Sequence, residues 1–336
     1  MDLGLTNFEM RQIGTTDIYV SPIGLGCWPI AGMTTLGATE EDSRKTIFTA
    51  LESGINFLDT AHGYGADGLS ERLIGQVIRD RREKLVIASK GGLHWDDSGQ
   101  RQFDSSPQRI RLECETSLQR MQIETIDLYY LHAHDPNTPI AETAGEFLKL
   151  KQAGKIRAVG VSNLTTDQIE AFHEVCPVDV NQPPYNLLQR GIEQHDLPWC
   201  LRKGIATITY WPLMKGLLAG KIRRGHEFDP ADKRRQYEIF QGEQFERAQC
   251  LLDRLDDLAA ELGKTVLQVV VNWTYHQSGI LSVLCGAKRD WQIREAAGAL
   301  GWQLNPEQMK TIAEVLAEIE GRVVDCLLYT SPSPRD

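Results

Sequence analysis

A carboxylate, a lysine and a histidine stand at the polar ends of three successive apolar runs. Asp59 closes NFLD, Lys90 closes LVIASK and His132 closes IDLYYLH, while Tyr64 follows the first of them in DTAHGYG. Taken singly, each has a plain structural explanation: a turn cap, a solvated charge, a satisfied core histidine. Together they describe proton transfer. A phenol titrates near 10, so donating its proton at neutral pH benefits from a neighbouring ammonium that stabilises the phenolate left behind. Lys90 can supply that charge and Asp59 can hold Lys90 in place. His132 can orient an oxygen atom and, with Tyr64, stabilise negative charge developing on it. Such a set suits reduction of a carbonyl.

These residues converge only if their runs lie side by side with their ends together. Short β-branched runs at 22–25, 56–60, 85–89, 126–131, 158–161, 178–181, 205–210 and 282–284 alternate with amphipathic segments at 40–52, 70–78, 107–121, 140–151, 167–175, 197–203, 243–262 with 266–275, and 291–299. Alternation of this kind is the βαβ signature, and eight such units make a (β/α)8 barrel. The fold class expected is therefore α/β, a single TIM barrel. LVIAS, IDLYYL and AVGV are continuously apolar, as strands buried on both faces should be. No Pro/Gly-rich linker divides the chain, which disfavours an open sheet with an appended domain. MRQIGTTDIYVS reads as an N-terminal β-hairpin covering one end of the barrel. Ser106 before Pro107, and Gly154 and Gly263 after apolar periodic segments, mark helix ends. The connections 91–105 and 213–242 are long, as functional loops at a barrel mouth often are.

In such a barrel the active site lies at the C-terminal ends of the strands. Reading those ends adds Ser162, Asn163, Gln182 and Tyr210 to Asp59, Lys90 and His132.

The composition narrows the partners. Lys+Arg number 36 against 46 Asp+Glu, a formal charge of −10, which is the wrong sign for nonspecific attraction to nucleic acid or anionic lipid. No stretch is apolar enough to span a bilayer, and MDLGLTNFEMRQIG lacks the basic flank and apolar centre of a signal peptide. The seven cysteines form no CxxC pair and read as reduced, mostly buried residues. The expectation is a soluble cytoplasmic protein; no interface pattern declares an oligomer. Residues 326–336, CLLYTSPSPRD, break from the preceding helical pattern, and one choice of codons for them spells read-through into a transposase-type library adapter. They read as a non-native tail, leaving 1–325 as the barrel.

GINFLDTAHGYG with SERLIG, then SKGG, YYLHAHD, VGVSN, NQPPYN, TYWPLMKGLLAGK and CGAKRDWQ, in that order, resemble the aldo-keto reductase family from about Met10 to Arg322. The resemblance implies a catalytic tetrad of Asp59, Tyr64, Lys90 and His132. It also implies NADP(H) as cofactor and a small carbonyl or alcohol as substrate. Ser162, Asn163 and Gln182 would hold the nicotinamide carboxamide, with Tyr210 stacked on the ring. Leu213, Gly216, Leu218 and Lys221 match the pyrophosphate-side loop. Gly286, Ala287, Lys288 and Arg289 would bind the adenosine 2′-phosphate, and Gln292 and Glu295 the adenosine. Two positions depart from the family pattern: Ala296 stands where Asn is common, and Trp211 replaces a frequent small residue. Trp28 and Trp95, after the first and third strands, are candidate walls of the substrate pocket.

Three other readings compete. Gly63, Gly65 and Gly68 form a G-x-G-x-x-G, but the next strand ends in Lys90 and not in the acid a ribose would need. These glycines are better explained by a tight loop presenting Tyr64. His132, His134 and Asp135 have metal-ligand chemistry, yet later strand ends supply no further ligand unless His62 or His94 does, so no metal is expected. A metal-dependent barrel hydrolase is the remote alternative. The third reading is an NADP-binding sensor or channel-associated subunit of the same fold, which would cycle slowly.

Overall fold

The computed structural model describes residues 8–32, 36–96 and 98–319. The proposed non-native tail lies outside them. Two short strands, β1 (Arg11–Gln12) and β2 (Tyr19–Val20), form the antiparallel hairpin expected at the N-terminus. There follow β3 (Ile23–Gly26), α1 (Glu40–Glu52), β4 (Phe57–Asp59), α2 (Leu69–Ile78), β5 (Val86–Gly91), β6 (Leu93–Trp95) and β7 (Arg101–Phe103). Next come α3 (Pro107–Met121), β8 (Ile126–Leu131), α4 (Ile140–Gln152), β9 (Ile156–Ser162), α5 (Thr166–Val175), β10 (Val180–Gln182), α6 (Asp196–Lys203) and β11 (Ala206–Tyr210). The chain continues through α7 (Gly242–Leu262), α8 (Val266–Tyr275), β12 (Ile280–Gly286), α9 (Asp290–Ala297) and α10 (Pro306–Ile319). Strands β3, β4, β5 and β8 to β12 pair in parallel and close into a barrel, with β12 against β3. This is the TIM architecture the alternating runs imply.

Alternation along the strands builds the site. Successive side chains point to opposite faces, so Phe57 and Asp59 share the inward face, as do Val86, Ala88 and Lys90, and likewise Leu128 and Tyr130. Phe57, Val86, Ala88, Leu128, Tyr130, Ala158, Val180, Ile208 and Leu284 form a closed apolar cluster inside the barrel. One pleat higher, the same faces carry Asp59, Lys90, Ser162, Gln182 and Tyr210. Two glycines make room for the large rings in this layer. A Cβ on Gly24 would lie 2.6 Å from Phe57, and one on Gly160 would lie 2.2 Å from Tyr130. The opposite strand faces, including Leu25, Leu58, Ile87, Tyr129 and Val159, pack against the helices in the larger cluster.

The hairpin seals the other end. Ile13, Ile18 and Val20 are buried in the inner cluster, and Arg11 donates to the carbonyls of Tyr275 at 2.8 Å and Leu281 at 3.1 Å. Helix starts follow the capping signals: Ser106 accepts from the Arg109 amide ahead of Pro107, and Thr165 and Thr265 form capping boxes. Gly154 and Gly263 take left-handed φ of 71° and 60° at helix ends. Cys27, Cys114, Cys176, Cys200 and Cys285 are buried thiols, but Cys250 is exposed on α7. No helix among the described residues is long and apolar enough to cross a membrane.

Candidate active site

Asp59, Lys90 and His132 come together at the barrel mouth, all nearly fully buried. Lys90 Nζ donates to Asp59 Oδ1 and, at 2.9 Å, to the Thr60 carbonyl. Burial pushes the Asp59 carboxyl up, opposed by the Lys90 ammonium and the Gln182 amide. Tyr64 completes the group: Lys90 Nζ lies 5.2 Å from the centre of its ring, and its ring stands edge to face with His132 at 5.8 Å. Burial, then the charges of Lys90 and Arg101, hold the His132 imidazole well below its ordinary range. The ring is therefore neutral near pH 7, and its Nδ1 is buried without a hydrogen-bond partner.

The loop carrying Tyr64 is tight for reasons the glycines explain. Gly65 and Gly68 have φ of 84° and 67°, and a Cβ on Gly63 would lie 2.8 Å from the Leu93 carbonyl. Trp28 stands perpendicular to Tyr64 at 5.0 Å. Trp95, on β6, donates through Nε1 to the Gly63 carbonyl at 2.7 Å. Both tryptophans thus border the Tyr64 loop.

Ser162, Asn163, Gln182 and Tyr210 form the adjoining wall. Asn163, at φ 58°, donates to the His132 carbonyl at 2.9 Å and accepts from the Tyr210 hydroxyl at 2.8 Å. Ser162 Oγ donates to the Gln182 carbonyl at 2.8 Å. Hydroxyl, two amides and a phenol ring make a set that fits a carboxamide edge and a flat ring beside it. Trp211 acquires a place here. It too is left-handed, its ring lies edge to face with Tyr210 at 5.0 Å, and Lys215 Nζ sits 3.7 Å over it. Met214, Lys215 and Gly216 also have positive φ, so the turn after β11 is strained where it borders this wall.

At the far end, Gln292 accepts from the amides of Lys288 and Arg289 and caps α9. Burial, then the charges of Arg289 and Arg234, lower the Lys288 ammonium from its ordinary range. Three cations therefore share this corner. Asp42 pairs with Arg289 at 2.9 Å and Asp232 with Arg234 at 2.6 Å. Lys221 pairs with Glu295 at 2.6 Å. A cationic helix start beside Gly216 and Gly286 fits a phosphate-bearing nucleotide.

A barrel with this mouth can be set beside known proteins. The model of the aldo/keto reductase family matches residues 22–317. The chain belongs to the aldo-keto reductase family. Aldo-keto reductase YhdN of Bacillus subtilis is 39% identical over 311 residues, covering 92% of this chain and 93% of that protein. The NADH-specific methylglyoxal reductase of Escherichia coli is 35% identical over 324 residues, covering 92% and 98%. Among solved structures, the glycerol dehydrogenase of Gluconobacter oxydans superposes with a TM-score of 0.87 at 36% identity, covering 98% of this chain and 100% of that one.

In this aldo-keto reductase the two histidines considered as completing ligands, His62 and His94, face other groups. His62 is held beside Arg120, and burial, then that charge, depress its imidazole to about 3. His94 lies 3.5 Å from Glu113. No cluster of three metal-ligating side chains occurs among the described residues. Sequence reasoning missed three features around the mouth. The 91–105 connection contains the β6–β7 hairpin, which LHW and RQF on either side of Ser98-Gly99 could have signalled. Arg234 comes to the cationic corner from an aperiodic loop. Glu113 is fully buried on α3, accepting from the Gly92 amide at 2.7 Å with Arg109 3.4 Å away. Burial pushes its carboxyl up to about 7.

Proposed function

We propose that this aldo-keto reductase transfers hydride between NADP(H) and a small aldehyde, ketone or corresponding alcohol, with Tyr64 as general acid and base. The observation that carries this reading is the placing of Lys90 beside the Tyr64 ring while Asp59 holds the lysine. As the substrate oxygen gains charge, Tyr64 gives up its proton and the Lys90 ammonium stabilises the phenolate. A neutral His132 facing Tyr64 serves as the second hydrogen-bonding group at that oxygen. The nicotinamide, when bound, supplies or accepts the hydride at the carbonyl carbon.

Ser162, Asn163 and Gln182 would hold the cofactor carboxamide and Tyr210 its ring. Leu213, Gly216, Leu218 and Lys221 border the pyrophosphate. Gly286, Ala287, Lys288 and Arg289, with Gln292, Glu295 and Arg234, take the adenosine end. The paired cations Lys288 and Arg289 favour NADP over NAD. One relative is named NADH-specific; on this reading Lys288 and Arg289 are what turn the choice towards NADP in this chain. Trp28 and Trp95 wall the substrate side. Unpaired buried thiols accord with a cytoplasmic location.

A titration of protein fluorescence with NADPH and NADH, followed by a generic aromatic aldehyde with absorbance monitored, tests the reading. NADPH-preferring quenching and consumption of reduced cofactor are expected. Binding without consumption over a broad carbonyl panel would overturn it in favour of a cofactor sensor.

A further inference from the structure

Behind the Tyr64 loop lies an ion pair that the reaction above does not use. Glu71, on α2, is fully buried, and Arg120, near the end of α3, lies 3.1 Å from its Oε2. The pair is tied to both halves of the catalytic group. Ser89 Oγ donates to the other carboxylate oxygen, Oε1, at 2.7 Å, and Ser89 immediately precedes Lys90 on β5. On the other side, Arg120 Nη1 donates to the His62 carbonyl at 3.1 Å and to the His62 Nδ1 at 3.2 Å. Burial, then the charges of Arg120, Arg109 and His94, keep that imidazole neutral near pH 7. An arginine only donates, so Nδ1 is the acceptor and the ring proton sits on Nε2. The His62 amide in turn donates to the Lys90 carbonyl at 3.0 Å.

These contacts close a ring that runs from the Lys90 carbonyl through His62, Arg120, Glu71 and Ser89 and returns along β5 to Lys90. It joins the strand that carries the ammonium to the loop that carries the phenol. Arg120 also sets how deeply that loop lies. A Cβ on Gly68 would stand 2.5 Å from the guanidinium carbon, so the segment after Tyr64 rests directly on Arg120. Two residues further on, the Ser70 amide donates back to the Tyr64 carbonyl at 3.2 Å. The same helix supplies a comparison. Arg111 donates to the buried Glu146 at 2.7 and 2.9 Å, and the contacts of that pair run to α4 and its Lys149. Both pairs stitch α3 to a neighbouring helix, but only the Arg120 pair reaches the backbone on either side of Tyr64. A misplacement of about 1 Å in a reacting group can cost a hundredfold in rate.

We propose that Arg120 is a positioning residue for the reaction: held by Glu71, it sets the Tyr64 loop against Lys90 and so fixes how well the ammonium stabilises the phenolate. This rests on the reductase reading above. The test measures the single-turnover rate of NADPH oxidation with saturating 4-nitrobenzaldehyde between about pH 6 and 10, where the alkaline limb reports the proton donor. The double variant Arg120→Met, Glu71→Gln removes no net charge and leaves no buried charge alone. Its rate should fall about tenfold to a hundredfold and its alkaline limb should move about one unit to higher pH, with NADPH affinity and aldehyde KM near wild type. The charged and titratable groups facing Tyr64, which are Lys90, His132 and, through Lys90, Asp59, are the same in every variant. Arg120→Lys keeps the charge but not the planar fork, and should recover part of the rate and of the limb. Arg111→Met should lower the urea midpoint and move neither. Urea unfolding identifies the folded variants, and Arg120→Lys, read by the same rate and limb against wild type, decides the matter if the double variant does not fold. A rate within about twofold of wild type, or a fall with the alkaline limb unmoved, overturns the proposal and leaves the reductase reading intact. No turnover by wild type overturns the reductase reading and this assignment with it.

Discussion

Gln182 reaches across the barrel to Asp59, its Nε2 donating to Oδ2 at 2.9 Å between residues 123 positions apart. The amide that family resemblance assigns to the cofactor therefore also restrains the carboxylate, leaving Oδ1 to face Lys90. Gln182→Met should lower kcat about tenfold in addition to weakening NADPH binding. Kinetics and a fluorescence titration on the same variant separate the two effects. A loss of cofactor affinity alone would show that the Asp59 contact does not matter to turnover.

Tyr64→Phe removes the proton donor and keeps the ring against Trp28. Turnover should fall by about a hundredfold to ten-thousandfold, with NADPH affinity nearly unchanged. Activity near wild type would sink the role given to Tyr64.

The Asp59–Lys90 pair is buried, so removing one partner strands the other. Asp59→Asn should destabilise the fold by about 3–5 kcal/mol in urea unfolding. The double variant Asp59→Asn, Lys90→Met should be less destabilised than the single one, because no buried charge is left alone. Additive losses would contradict this account.

Glu113 gives the fold a pH dependence of definite sign. Its carboxyl is raised from 4.5 to about 7 by burial, with Arg109 opposing and Asp104 and Glu71 adding to the rise; His94 also faces it. Below both values it is protonated whether folded or unfolded. As pH climbs from 4.5 towards 7, the unfolded chain releases the proton first, so this group's contribution to stability declines through that window. Glu113→Gln should flatten the fall in urea midpoint between those limits. An unchanged slope would remove Glu113 as its source.

Arg289→Ala should weaken NADPH about tenfold or more and NADH much less, as charge-assisted bonds to a 2′-phosphate require. Titration of the variant with both nucleotides checks it. Equal weakening would argue against a phosphate clamp at this corner.

The positions of Asp59, Lys90 and His132 were legible because a buried parallel strand is a short apolar run whose polar terminus stands out. All eight barrel strands fall within two residues of where those runs place them. Glu113 was not legible. On an amphipathic helix a glutamate reads as solvent-facing, and only the rotation of α3 against the Gly92 backbone buries it. Arg234 was hidden for a different reason. Its loop is a succession of tight turns held by Asp232 and by the Lys215 carbonyl, and such turns leave no period in the sequence.

The pairing of Val283 with Ile23, and of Arg11 with carbonyls near the end of the barrel, has a meaning for how the protein is made. A ribosome delivers the plug hairpin and β3 first and β12 nearly last. Until Ile280–Gly286 has emerged, β3 and β11 each present an unpaired edge and the plug has an incomplete wall around it. Nascent chains arrested before β12 should therefore be bound by chaperones and cut by proteases along those edges. Emergence of Ile280–Gly286 is the event that lets the ring close.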